Sequence, residues 1–119
     1  MDMMQWIFIG LILVFLVFRF KPVKGITHIT TQEAKAKSKE KNVQFVDVRT
    51  PGEYKARSSK IFKNIPLQQL AGRTSELDKE KEVVVICQSG MRSMQAAKLL
   101  KKQGFEKVTN VKGGMNAWN

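Results

Sequence analysis

The run Glu82-Val83-Val84-Val85-Ile86-Cys87 constrains the fold more than any other part of this chain. Four consecutive β-branched residues leave no polar face, so the segment reads as a strand buried on both sides. Such a strand needs a neighbour on each edge and cover above and below. A short loop, Gln88 to Met91, follows at once. Arg92 to Gln103 then reads as an amphipathic helix, with Ala96, Ala97 and Leu100 inward and Lys98, Lys101 and Lys102 outward. Gly104 ends it.

The same alternation recurs along the chain. Ile26 to Ile29 is a short strand, and Thr30-Thr31-Gln32-Glu33 is a capping box that predicts a helix to about Lys39. Val43 to Val48 is a second buried strand. Thr50-Pro51-Gly52-Glu53 repeats the capping box with proline at the first helical position. Asn64-Ile65 is a minimal strand, and Leu67 to Leu77 a helix weakened at Gly72. Val108 to Val111 is the last strand, and Gly113-Gly114 a turn before Met115-Asn116-Ala117-Trp118. Strands interleaved with helices predict an α/β fold: a mainly parallel sheet flanked by helices on both faces, over residues 26–119.

The N-terminus differs. Trp6 to Phe18 carries no charge, and residues 3–20 read as one transmembrane helix preceding the domain. A cleaved signal peptide is disfavoured by Asp2 ahead of the run and by the absence of a small-residue cleavage site. Arg19, Lys21 and Lys24 follow the run, so the positive-inside rule places the domain on the cytoplasmic side of a single-pass membrane protein. Residues 21–25 read as a linker, with Pro22 and Gly25 closing the helix.

Lysine and arginine total 21 against 10 acidic residues, a net charge of +11. That field draws anions: lipid headgroups, nucleic acid or small anionic substrates. A basic domain beneath an anionic leaflet makes membrane lipid an expected partner. No recognition-helix or aromatic-interleaved basic motif is present, so nucleic acid is not expected. One cysteine and one histidine exclude an internal disulfide and cannot build a four-ligand zinc site, so neither metal nor cofactor is expected. A reducing compartment suits the free thiol.

Cys87-Gln88-Ser89-Gly90-Met91-Arg92-Ser93 is the segment that carries chemistry. The strand delivers Cys87 to the carboxyl end of the sheet, where α/β folds place ligand crevices. The loop amides and the helix N-terminus would surround the sulfur with positive potential, and Arg92 would add a full charge. Each favours thiolate, so a depressed Cys87 pKa is expected, and such a nucleophile needs no histidine base. Asp47 and Arg49 are candidates for pocket electrostatics, with a structural ion pair as the plainer reading. Glu53 reads as a cap, Trp118 as core and His28 as surface.

This segment resembles the active-site loop of rhodanese-like sulfurtransferases: cysteine, four residues, arginine, then serine or threonine. Three further segments, in the same order, are similar to the family: Asp47-Val48-Arg49-Thr50-Pro51-Gly52-Glu53-Tyr54, Asn64-Ile65-Pro66-Leu67, and Gly113-Gly114-Met115-Asn116-Ala117-Trp118. The resemblance implies a persulfide on Cys87, loaded from a sulfane-sulfur donor such as thiosulfate or another persulfide and passed to a thiol acceptor or cyanide. It implies that Gln88, Ser89, Gly90 and Met91 cradle the sulfur through their backbone, that Arg92 anchors the loop or an anionic donor, and that Ser93 caps the helix. Related phosphatases and arsenate reductases have one more residue in the loop, so the four here suit sulfur. Two departures stand out. Arg57-Ser58-Ser59 replaces the usual Gly-His-Ile, and Gln88 stands where many members carry a basic residue. The first motivates an alternative, a binding module that recruits a partner to the membrane without turnover; the second makes thiosulfate a poorer donor. A monomer is expected.

Overall fold

The computed structural model describes residues 2–20 and 25–119, with residues 17–20 described by backbone only. The expected linker therefore lies, apart from Gly25, outside the described residues. Helix α1 spans Met3–Phe20. The remaining elements follow in strict alternation: β1 (Ile26–Ile29), α2 (Thr31–Lys37), β2 (Val43–Asp47), α3 (Pro51–Ala56), β3 (Lys63–Asn64), α4 (Leu67–Arg73), β4 (Glu82–Ile86), α5 (Met91–Lys102) and β5 (Val108–Val111). Two 3-10 turns, Thr74–Glu76 and Gly114–Ala117, complete the order.

The five strands form one parallel sheet in the order β1-β5-β4-β2-β3. β4 is central and every one of its residues is buried. Alternate side chains feed two cores. Val46, Val83, Val85 and Val108 meet Leu70 of α4 and Ala96, Ala97 and Leu100 of α5. Val84, Ile86 and Val111 meet Ala34 of α2, together with Phe62, Met115 and Trp118. Both faces are thus covered, as a parallel sheet requires. Trp118 is core, packed edge-on against Phe62 at 5.4 Å between centroids. Both capping boxes form: Thr30 with Glu33, and Thr50 with Glu53.

Some boundaries move. α2 stops at Lys37 rather than Lys39, capped by Ser38. α4 stops at Arg73 and tightens into a 3-10 turn instead of reaching Leu77, just past Gly72. β3 is Lys63–Asn64 because the ladder to Val46 and Asp47 ends there; the Ile65 N–H still reaches Asp47 O, but Pro66 has no N–H to continue.

The expected transmembrane helix is overturned. Among the described residues, no helix is long and apolar enough to cross a membrane. α1 has 18 residues, and its ends include Gln5 and Arg19. At 1.5 Å per residue it reaches only about 27 Å, short of the roughly 20 apolar residues and about 30 Å that a hydrocarbon core demands. The single-pass placement and the cytoplasm-facing orientation, both inferred from that span, fall with it, and the expectation of membrane lipid as a partner loses its support.

Candidate active site

β4 ends at Ile86, so Cys87 is the first residue beyond the carboxyl end of the central strand. The chain turns through Gln88 and Ser89 to Gly90, whose φ of 110° is open only to glycine at low cost, and α5 begins at Met91. The turn after β5 locks this loop from outside. Met115 N–H donates to Cys87 O at 2.8 Å, and Asn116 N–H to Gln88 O at 3.0 Å. Gly114 makes that approach feasible: a Cβ there would lie 2.2 Å from Cys87 O.

Cys87 is 1% exposed and packs into the apolar core beside α5, with polar groups at its sulfur. Gly90 N–H donates to Sγ at 2.9 Å, and the Ser93 hydroxyl lies 3.3 Å from it. Burial pushes the thiol pKa up, but the Ser93 hydroxyl and the amides of Ser93, Gly90 and Ser89 outweigh it, leaving the pKa below its ordinary value. Ser93 sits inside α5 and does not cap it. Its hydroxyl reaches Gly90 O at 3.0 Å and also Asn110 Oδ1.

Arg92 is turned to a carboxylate. Its two terminal nitrogens grip the Glu53 oxygens at 2.6 and 2.8 Å, a bidentate pair across the mouth of the site. The Arg92 guanidinium holds the Glu53 carboxyl at about 2, although partial burial opposes the shift. Glu53 also caps α3 as expected, accepting from Thr50 N at 3.1 Å. The charge of Arg92 is therefore matched by Glu53.

Beneath the loop, Asp47 and Arg49 form a buried ion pair, as the plainer reading had it. Arg49 Nε lies 3.0 Å from both Asp47 oxygens, and Nη2 lies 2.7 Å from Oδ2. The remaining guanidinium protons go to Gln88 Oε1, Glu53 O and Arg57 O. Gln88 also donates through Nε2 to Asn116 Oδ1 at 2.6 Å, so its side chain bridges the two loops rather than facing the sulfur with charge. Ser89 and Met91 form the exposed crown of the loop, Met91 with 76% of its surface open.

After Tyr54, Arg57 and Ser58 are exposed, and the chain is anchored farther on. Phe62 is buried against Phe45 and Trp118, Tyr54 Oη donates to Phe62 O at 2.6 Å, and the Arg57 guanidinium donates to Trp118 O. A cavity of about 180 Å³ opens beside Arg92, lined by Val48, Pro51, Pro66 and Leu67 with Thr50, Gln68 and Gln69. Among the described residues no three His, Cys, Asp or Glu side chains gather as a metal site.

Sequence reasoning missed three contributors. Glu53 faces Arg92 as well as its cap. Asn64 Nδ2 donates to Asp47 O and Arg49 O, pinning the end of β2. Asn110 reaches Ser93 from β5. Only Asn110 carried a signal, as a carboxamide inside a buried β-branched strand.

Residues 30–119 match the family of the rhodanese-like domain. The chain is 38% identical over 95 residues to the putative sulfur carrier protein YrkF of Bacillus subtilis, covering 79% of this chain and 51% of that protein, so it spans about half of that relative. It is 39% identical over 77 residues to a sulfurtransferase of Allochromatium vinosum, covering 65% of this chain and 72% of that protein. The fold superimposes on the crystal structure of a rhodanese-like domain protein from Staphylococcus aureus with a TM-score of 0.72 and 35% identity, covering 78% and 91% of the two chains.

Proposed function

The chain belongs to the rhodanese-like domain family, and from that premise we propose that residues 26–119 are a sulfurtransferase or sulfur-carrier unit working through a persulfide on Cys87. One observation carries the reading: a buried sulfur that receives the Gly90 amide and stands beside the Ser93 hydroxyl, at the start of a helix. The Cys87 thiolate attacks the outer sulfur of a donor such as thiosulfate. A Cys87 S–S bond forms, the donor S–S bond breaks and sulfite leaves with the bonding pair. An acceptor thiolate then attacks the outer sulfur, and Cys87 departs as thiolate. No net redox agent is consumed. The loop from Gln88 to Ser93 cradles the added sulfur through its amides, which stabilise the negative charge on it. Arg92 anchors the loop through Glu53, and Asp47 and Arg49 hold the floor. Every group involved comes from one copy of the chain.

The tests are direct. Exposure to thiosulfate or polysulfide should add one sulfur to Cys87 by mass spectrometry, and Cys87→Ser should abolish thiosulfate:cyanide transfer. Full transfer by that variant refutes the reading. A second reading is a binding module without turnover. The engagement of Arg92 by Glu53 favours it, since the loop's own arginine is already committed and does not await an anionic donor. It predicts normal partner binding with no persulfide formed.

A further inference from the structure

Ser93 holds one hydroxyl proton between two acceptors, Asn110 Oδ1 and Gly90 O at 3.0 Å, while its Oγ accepts from the Cys87 thiol at 3.3 Å. All are buried or partly so, and the Ser93 side chain itself is fully enclosed. Asn110 is placed for this by strand register. It pairs with Val85 of β4 on one side and His28 of β1 on the other, on the face of the sheet that α5 covers. Its Nδ2 lies 3.3 Å from His28 Nδ1.

We propose that Asn110 is a positioning residue for the nucleophile, whose carboxamide orientation decides whether Ser93 gives its proton to Asn110 or to the Cys87 sulfur. With Oδ1 toward Ser93, the hydroxyl proton is drawn from the sulfur, an arrangement suited to the neutral thiol. When Cys87 loses its proton to solvent, the anionic sulfur becomes the stronger acceptor. Turning the carboxamide then presents Nδ2–H to Ser93 Oγ, and the hydroxyl donates to sulfur. Covalently, only the S–H is lost and the His28 ring proton moves from Nε2 to Nδ1, exchanged through solvent at the exposed imidazole. His28 satisfies either orientation, because an imidazole Nδ1 accepts from Nδ2 or, when it carries the proton, donates to Oδ1. The two orientations exchange N for O at the same sites, so no space has to open. The charged groups packed around Cys87 are engaged with each other: Arg92 with Glu53 from α5 and α3, and Arg49 with Asp47 at the end of β2. They are untouched by a change at Asn110.

The inference deepens the proposed role of Cys87, but its readout is the thiol alone. Cys87 is the only cysteine, so the rate of alkylation by iodoacetamide against pH reports its ionisation without interference. Asn110→Leu removes the amide donor and should raise the thiol pKa by about one unit, slowing alkylation about tenfold below the midpoint. Asn110→Asp, which keeps the shape but replaces the amide N–H with oxygen, should shift it the same way and serves if the leucine variant fails to fold. In a Ser93→Ala background the Asn110→Leu shift should disappear and the Asn110→Asp shift should shrink to the through-space effect of its new carboxylate, which a merely structural effect would not do. An unchanged profile in Asn110→Leu and Asn110→Asp, or equal shifts with and without Ser93, overturns the proposal. Loss of sulfur transfer with a normal alkylation profile would count against the proposed function instead.

Discussion

The pair Glu53–Arg92 decides how the site meets an anion. Glu53→Gln is the informative change, since glutamine at the third helical position preserves the capping box while releasing the guanidinium. Both side chains are about one-third exposed, so the pair contributes at most about 1 kcal/mol to stability. The freed Arg92 should lower KM for thiosulfate, measured in steady-state transfer, with little change in the urea midpoint. The pH dependence has a definite sign. The Glu53 pKa is depressed in the folded state, so its contribution is present above the ordinary value of 4.5 and is lost as pH falls toward about 2. An acid titration of Glu53→Gln should lack that part of the stability loss between the two values. For Cys87 the folded pKa is also lowered, so its alkylation midpoint should lie below that of a free thiol peptide of the same loop sequence.

Two glycines separate the effects of space and backbone at the level of elements. Gly114 has φ of 55°, and an added Cβ would lie 2.2 Å from Cys87 O and 2.8 Å from the Gln88 carbonyl group. Those neighbours are backbone and cannot step aside. Gly114→Ala should cost about 2–4 kcal/mol in urea unfolding, combining strain and overpacking, and should displace the loop enough to impair sulfur transfer. Gly72, inside α4, meets nothing within 4 Å. Gly72→Ala should stabilise by about 0.5–1 kcal/mol through reduced backbone entropy in the unfolded chain. Such local logic is what the chain displays openly in its sequence. The β-branched runs at Val43 and Val83 and the two Thr-x-x-Glu boxes announce their elements because the forces are short-range. The cysteine loop was legible for the same reason, as its strand, glycine and helix start are contiguous. The contacts of Glu53 with Arg92, and of Asn110 with Ser93, join elements 39 and 17 residues apart, and nothing in local pattern encodes them. The N-terminal run misled in the opposite way: its hydropathy was plain, but among the described residues no helix is long and apolar enough to cross a membrane.

Over the whole molecule, the ends of β2 and β4 are adjacent, and the functional parts converge above them. Arg49 is the tie. From the end of β2 its guanidinium reaches Asp47, the Glu53 carbonyl of α3, the Arg57 carbonyl and the Gln88 side chain of the cysteine loop. Remove its counter-ion and the charge stays buried without compensation. Asp47→Asn should therefore cost about 3–5 kcal/mol, whereas replacing both partners by apolar residues, as in Asp47→Leu with Arg49→Met, should recover much of that loss. Stability and function should then part company. The double variant can regain its urea midpoint through packing, but a thioether in place of the guanidinium donates nothing to Gln88 or to the two carbonyls. Its cysteine loop should be less firmly held, so sulfur transfer stays low after stability returns. If transfer returns together with stability, the ion pair serves the fold alone, and the loop is set by the Met115 and Asn116 amides that grip it from the other side.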